Sequence, residues 1–525
     1  MSGNKVIAIA LEMVEPTLLE KWCNEGLLPT FAALREIGAY RRLLSPAEIS
    51  SSSTWPSINC GVTPGKHGMA FIHRQFVSGT YETQRKRANE VGRFPFWKEF
   101  KSAGKRVFTM DVPESRIYGV DGVEIVGWGL EYKTWAVDSN PKGLIDSIFK
   151  EYGKHPLDGW YQTKESTAEA WLDLKEKILW ATRTRTDIIK KILKEQDFDF
   201  TLVVYGESHF IGHLFWHIND SNHPDYNPEF EKVLGQPILE VYQECDHAIK
   251  EIMETNPDAT FIIFSNSGVG PNYTGRHFVG EVLSRLGYRP QSSQGETKKK
   301  SWLPAGDVFA VQRIERLVGQ RNIEKIKSFI PEQFWDKWTR KFLSMGSDWK
   351  DSIAFDIPGD NTGTIRINLK GREPKGIVEL AEYDNLCEKI ADEFMELKNP
   401  DTGKYLVSEV VFPHKKYLGD HMADLPDIVI KWIDTEHIRK IVSPKTGLIQ
   451  MDDVPDARTG AHKDVGFFIA AGKGIKHVDA VKENLKQGYN EDIAPTILKY
   501  MGLPIPSDMD GKPFDDILQS NEVSR

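Results

Sequence analysis

Short apolar runs punctuate the chain at Val6–Leu11, Arg106–Val112, Gly122–Val126, Phe200–Tyr205, Thr260–Ser265, Asp427–Trp432 and Gly466–Ala471. They are nearly continuous rather than alternating, as strands buried on both faces of a parallel sheet are. Between most of them lie stretches with helical periodicity. Leu18, Leu19, Trp22 and Leu27 mark one, Glu169–Glu195 a second and Leu239–Glu254 a third. Strands alternating with helices predict an α/β fold, a mostly parallel sheet covered by helices on both faces. Ligands in such folds sit at the carboxyl ends of the strands. Functional residues are therefore sought just after each apolar run.

The rhythm breaks between 291 and 350, which opens with Lys298, Lys299 and Lys300 and then turns helical and Trp-rich. This segment reads as an inserted helical cap or lid, the alternative being a peripheral helical decoration. Residues 1–290 and 351–520 then form one α/β domain, with 521–525 as a loose tail. A chain of 525 residues is long for one core, and fits a large α/β domain carrying such an insertion. The net charge of −9 lacks the basic footprint that nucleic acid requires. The expected partner is a small molecule; the oligomeric state is left open. Cys23, Cys60, Cys245 and Cys387 are too scattered for a CxxC zinc site. The first apolar run is too short for a signal peptide and is followed by Glu12, and no run approaches a membrane span. A cytoplasmic protein without membrane contact is expected.

Four stretches offer chemistry. Glu207 to His213 follows the Phe200–Tyr205 run and opens a helix. His209 and His213, four apart, share a helix face with Cβ atoms about 5–6 Å apart, close enough to bind one metal ion. Two half-buried helix histidines would give the same pattern. His217 continues the row but lies about 12 Å from His209 along the axis, too far to share a metal. The second stretch, Ser50-Ser51-Ser52-Ser53-Thr54-Trp55-Pro56, offers a hydroxyl nucleophile before a helix, or simply a capped turn. The third is Asn266-Ser267-Gly268 and the fourth Arg458-Thr459-Gly460-Ala461-His462.

Their order and spacing resemble the alkaline phosphatase superfamily, in its type I phosphodiesterase/nucleotide pyrophosphatase branch, over nearly the whole chain. The most characteristic stretches are Trp55–Gly68, Gly212-His213-Leu214-Phe215-Trp216, Gly270-Pro271-Asn272-Tyr273, Ile365–Pro374 and Asp510-Gly511-Lys512-Pro513. The resemblance implies an alkaline-phosphatase-like fold and a two-metal site for phosphoryl or sulfuryl transfer. One metal would be held by an Asp after the first strand, an Asp-His pair and the nucleophile, the other by a DxxxH pair and a late His.

Against that pattern the ligands diverge. Glu12 stands for the first Asp, Asn266 and Ser267 for the Asp-His pair, and His209 for the DxxxH Asp; His213 and His462 match outright. The nucleophile position falls on Ser51, or on Ser50 with one residue of slippage. One site thus loses its strong ligands, while the other becomes three histidines, similar to His₃ catalytic zinc sites. The expectation is one divalent ion on His209, His213 and His462, zinc first, with iron, copper or manganese as alternatives. Ser51 and Glu12 are the catalytic candidates, Glu12 as ligand, base or neither; Asn266, Ser267 and His277 are the substrate-binding candidates. His277 could equally be a surface residue, and Asp427 reads as a cap at a strand start. Conventional diesterase activity is expected to be weak. Ser51, its metal activator gone, is not expected to be an essential nucleophile. The leading reading is a divergent mononuclear metalloenzyme for a phosphate- or sulfate-ester-like anion. A recruited lyase or oxidase and a non-catalytic metal-containing binding protein are the alternatives.

Overall fold

The computed structural model describes residues 5–72, 74–86, 91–129, 137–157, 165, 167–290, 349–451 and 458–519. Of the expected insertion only Trp349 and Lys350 fall within this set; the rest of 291–350 and the tail 521–525 lie outside the described residues.

A ten-stranded sheet forms the main layer. At its centre run five parallel strands, ordered Thr260–Ser265, Val6–Leu11, Phe200–Tyr205, Val107–Met110 and Gly122–Val126. The first three are buried at every position, because helices cover both faces, and this is why they read as unbroken apolar runs. Ile7, Ile9 and Leu11 face one core cluster, and Val6, Ala8 and Ala10 the other. Val465–Ala471 joins antiparallel beside Thr260–Ser265 and pairs on its far side with Ala39–Leu44.

One expectation is corrected. The run at Asp427–Trp432 does not enter this sheet. Ile428–Trp432 lies in a separate four-stranded antiparallel sheet with Ala354–Asp356, Gly363–Ile367 and Val407–Val411. That sheet has its own core, which includes Phe278, Ile365, Ile390, Phe394 and Ile430. An apolar run alone does not say which sheet it joins. Asp427 does tie down a strand start: its carboxylate accepts the Ile367 N–H at 2.6 Å, both Arg372 Nη atoms at 2.7 Å and the Tyr383 hydroxyl at 2.6 Å. Among the described residues no helix is long and apolar enough to cross a membrane.

Register sets where the chemistry falls. Leu11 is level with Tyr205, and Ala10 with Phe264. Glu12, the helix Glu207–Asn219 and Asn266 therefore leave the sheet at one edge. The helix start is pinned by its buried Glu207. Arg185 Nε donates to Glu207 Oε1 at 3.0 Å and Arg185 Nη1 to Asp111 Oδ2 at 2.7 Å, while His155 Nε2 lies 3.2 Å from Glu207. Burial alone would raise the Glu207 pKa, but the Arg185 charge and His155 outweigh it and hold the carboxyl below its usual range.

Candidate metal centre

His209 and His213 project from one face of the helix Glu207–Asn219, as their spacing predicts. His462 arrives from the hairpin formed by Gly268–Pro271 and Gly460–Lys463, where it pairs with Val269. The strand can come so close to the helix because Gly460 has no side chain: a Cβ there would lie 2.1 Å from the Gly212 carbonyl oxygen. Thr459 fastens the approach, its N–H donating to the His213 carbonyl at 2.7 Å.

The three buried imidazoles converge, each offering one ligand atom within 4.8 Å of the others. His209 Nε2 lies 3.1 Å from both His213 Nε2 and His462 Nε2. The opposite ring nitrogens are held from behind. His213 Nδ1 lies 2.7 Å from the Gly460 carbonyl, which can only accept, so the ring proton is on Nδ1 and the Nε2 lone pair points inward. His462 Nδ1 lies 3.0 Å from the Ser267 hydroxyl. Burial, then the neighbouring His209 and His462 and the Arg458 charge, push the His213 pKa well below its ordinary value. It stays neutral, the form that binds metal. His217 is elsewhere, as its position on the helix requires: its ring lies 3.2 Å from Thr459 Oγ1 and 5.1 Å from the Trp171 ring centroid.

The second corner of the site is built differently. The Asn266 side chain accepts the Met13 N–H at 3.0 Å and donates to Thr54 Oγ1 at 3.0 Å. Ser267 supports the His462 ring. Glu12 accepts from Trp55 Nε1 at 3.1 Å and is outside the three-histidine group. Beside it stands Glu114, which the sequence did not reveal. It sits in the loop after Val107–Met110 with a left-handed φ of 53°. Burial and then the Glu12 charge push its carboxyl up to about 8.

The serine run separates into distinct roles. Ser50 Oγ accepts the Ser52 N–H at 3.2 Å, and Ser53 Oγ donates to the Met69 carbonyl at 2.7 Å. The Ser51 hydroxyl donates to Asp360, a second residue missed in the sequence. His277 lies against Phe278, with ring centroids 4.3 Å apart; its neighbour Arg276 reaches the backbone carbonyls of Gly359 and Asp360. A small cleft of about 80 Å³ opens beside His462, lined by Asn272, Tyr273, Asn361 and Trp432 among others.

The chain belongs to the type I phosphodiesterase / nucleotide pyrophosphatase family, whose model matches residues 6–436. That span contains His209 and His213 and ends before His462. Solved structures with the same fold include phosphonoacetate hydrolase from Sinorhizobium meliloti 1021 in complex with phosphonoacetate. It is 14% identical, covers 95% of each chain and has a TM-score of 0.51. Murine ectonucleotide pyrophosphatase / phosphodiesterase 5 is 11% identical over 98% of this chain and 100% of its own, with a TM-score of 0.46. No curated protein matches the sequence. The fold is thus alkaline-phosphatase-like, and the family is one of metal-dependent hydrolases.

Proposed function

We propose that this protein is a mononuclear metalloenzyme of the phosphodiesterase branch that acts on a small phosphate- or sulfate-ester-like anion. The observation that carries the reading is the convergence of three buried imidazoles with the outer nitrogens of two braced by protein groups. A proton on His209 Nε2 can be shared with only one of its two neighbours at a time, whereas a cation serves all three lone pairs. The bracing of His213 by a carbonyl and His462 by a hydroxyl is the usual outer support of metal-ligating histidines. The donor set fits zinc first, with iron, copper and manganese as further candidates. A divalent ion bound there supplies a Lewis acid whose charge the neutral ligands leave intact.

Around it the chain supplies the rest. Arg458 and Arg276 bring positive charge for an anion, and the narrow cleft beside His462 favours a small one. Asn266 and Ser267 occupy the corner where the family holds a second ion, and their hydrogen bonds are made to protein groups. This supports one ion rather than two, and weak turnover of generic diesters. Elemental analysis of protein purified without added metal tests the reading, together with a chromogenic diester assay in added zinc or manganese. One equivalent with little diesterase activity is expected. Two equivalents, or turnover in the usual enzyme range of about 1–10³ s⁻¹, would overturn it. A tightly held redox metal would favour the lyase or oxidase reading, to which three imidazoles are equally suited.

A further inference from the structure

Backbone strain gathers at one edge of the large sheet. Among the described residues four that are not glycine have a left-handed φ. Three of them, Met13 at 60°, Asp111 at 52° and Glu114 at 53°, follow the strands Val6–Leu11 and Val107–Met110. That conformation disfavours an L side chain and persists only where the surroundings impose it. For two of the three the compensation is visible. The Met13 N–H reaches Asn266, and the Asp111 carboxylate accepts the N–H groups of Gly127, Trp128 and Gly129. Glu114 has none of this kind: its Oε2 is buried and has no hydrogen-bond partner. The loop that carries it is nevertheless held firmly. Ser115 Oγ donates to the Val112 carbonyl at 2.6 Å, and Asn59 Nδ2, from the helix Thr54–Cys60, to the Pro113 carbonyl at 3.1 Å. That helix begins with two residues of the second corner. Thr54 supplies the hydroxyl set against Asn266, a place that Ser51 does not take, and Trp55 Nε1 donates to Glu12. A strained, fastened acid with unspent hydrogen-bonding capacity, at the strand ends where ligands bind, points to a role toward the ligand.

We propose that Glu114 is a substrate-binding residue whose carboxyl O–H donates a hydrogen bond to an oxygen of the bound anion, in the corner where the resemblance places a second metal ion. Burial and then the Glu12 charge push this carboxyl up to about 8, with Arg85 opposing, so it keeps its proton at neutral pH. The charged groups that act on it are therefore Glu12, at the end of Val6–Leu11, and Arg85; the helix Thr54–Cys60 contains no charged residue. The chemistry suits an anion. An ionised carboxylate beside Glu12 would repel the oxygens that Arg458 and Arg276 draw in, whereas a neutral acid adds a donor and no charge. Raising the pH turns that donor into a second negative charge. The site then takes its anion below the Glu114 pKa and releases it above. This proposal rests on the reading of the site as one for a phosphate- or sulfate-ester-like anion, and it gives that reading a pH dependence.

The test uses the full zinc-loaded chain and inorganic sulfate, a probe whose own charge does not change between about pH 6 and 10. Titration calorimetry reads its affinity across that range, and zinc content and melting temperature are read in the same samples. Wild type should bind sulfate at the acid end and lose affinity above about pH 8. Glu114→Gln, whose amide N–H donates at every pH, should lack the part of that loss that belongs to Glu114. The readout is the ratio of the two affinities, which cancels the titration of the rest of the site. It should turn against wild type by about tenfold for each pH unit above about 8. A ratio constant within about twofold over the whole range overturns the proposal. If Glu114→Gln does not fold, Glu12→Gln carries the test. It removes the charge that helps Glu114 hold its proton, so the loss of sulfate affinity should begin at least about half a pH unit lower; an unmoved profile overturns the proposal. Zinc-loaded wild type that binds no sulfate even at the acid end overturns the anion reading on which the proposal rests. Sulfate binding with a constant ratio overturns the role of Glu114 alone.

Discussion

The histidine corner and the Glu12–Asn266 corner lie at the same edge of the same sheet, and on the proposed reading both depart from the ligand pattern that the resemblance implies, with opposite consequences. In the first, His209 keeps a lone pair where the resemblance places an Asp, and three imidazoles turn toward one point. In the second, each changed side chain has been absorbed by the scaffold. Asn266 bridges Met13 to Thr54, Ser267 braces His462, and Glu12 accepts from Trp55. The same kind of event, substitution of a metal ligand, can preserve a site or convert it to structure. What decides is whether the new side chain still turns a donor atom toward the other two ligand residues. Ser267 links the two corners, since it is lost from one site and serves the other.

His213→Ala should break the contrast most strongly. Two imidazoles remain, the ring hydrogen-bonded to Gly460 is gone, and metal content should fall to about a tenth of an equivalent or less. Elemental analysis after gel filtration in metal-free buffer reads this directly. Retention of a full equivalent would mean that the ion sits elsewhere. Ser267→Ala should have a smaller effect on the same quantity. The His462 ring keeps its place on the strand but loses the hydroxyl at its Nδ1. Loss of such outer support typically weakens metal affinity 10- to 100-fold, about 1.4–2.8 kcal/mol. Competition with a chromophoric chelator measures it. An unchanged affinity would show that Ser267 belongs to the second corner only.

How far all this was legible in the sequence follows from what each element is made of. The central strands are buried on both faces, so their apolar runs announce them. Ala39–Leu44 was hidden because Arg41 and Arg42 interrupt the run; Arg41 pairs with Asp516 and Arg42 with Glu20, and Asp516 is 475 residues away. The small sheet was hidden for another reason. Strands such as Val407–Val411 have three partly or fully exposed positions in five and carry little apolar signal. At the site, His209 and His213 were visible because helix geometry fixes their relation within four residues. Asp360 was not, since Pro358-Gly359-Asp360-Asn361 reads as a turn and its meaning lies with Ser51, 309 residues earlier. Local periodicity carries local pairs, whereas contacts between sheets leave no mark on it.

The sharpest control on the comparison is a substitution in the closed corner that should leave the metal alone. Asn266 is 1% exposed and uses both ends of its amide. In Asn266→Ala the Met13 N–H loses its acceptor and Thr54 Oγ1 loses a donor, in a place that water does not reach freely. A buried donor left without a partner costs about 1–3 kcal/mol, so the midpoint of chemical denaturation should fall accordingly. Affinity for the metal should stay within about threefold of wild type, because the Asn266 amide is bonded to Met13 and Thr54 and the Ser267 hydroxyl that supports His462 remains. The two readouts must therefore part company: stability down, metal unchanged. If Asn266→Ala instead sheds the metal as readily as Ser267→Ala, the corners form one coupled unit. The division between a site that was kept and a site that became scaffold would then be wrong.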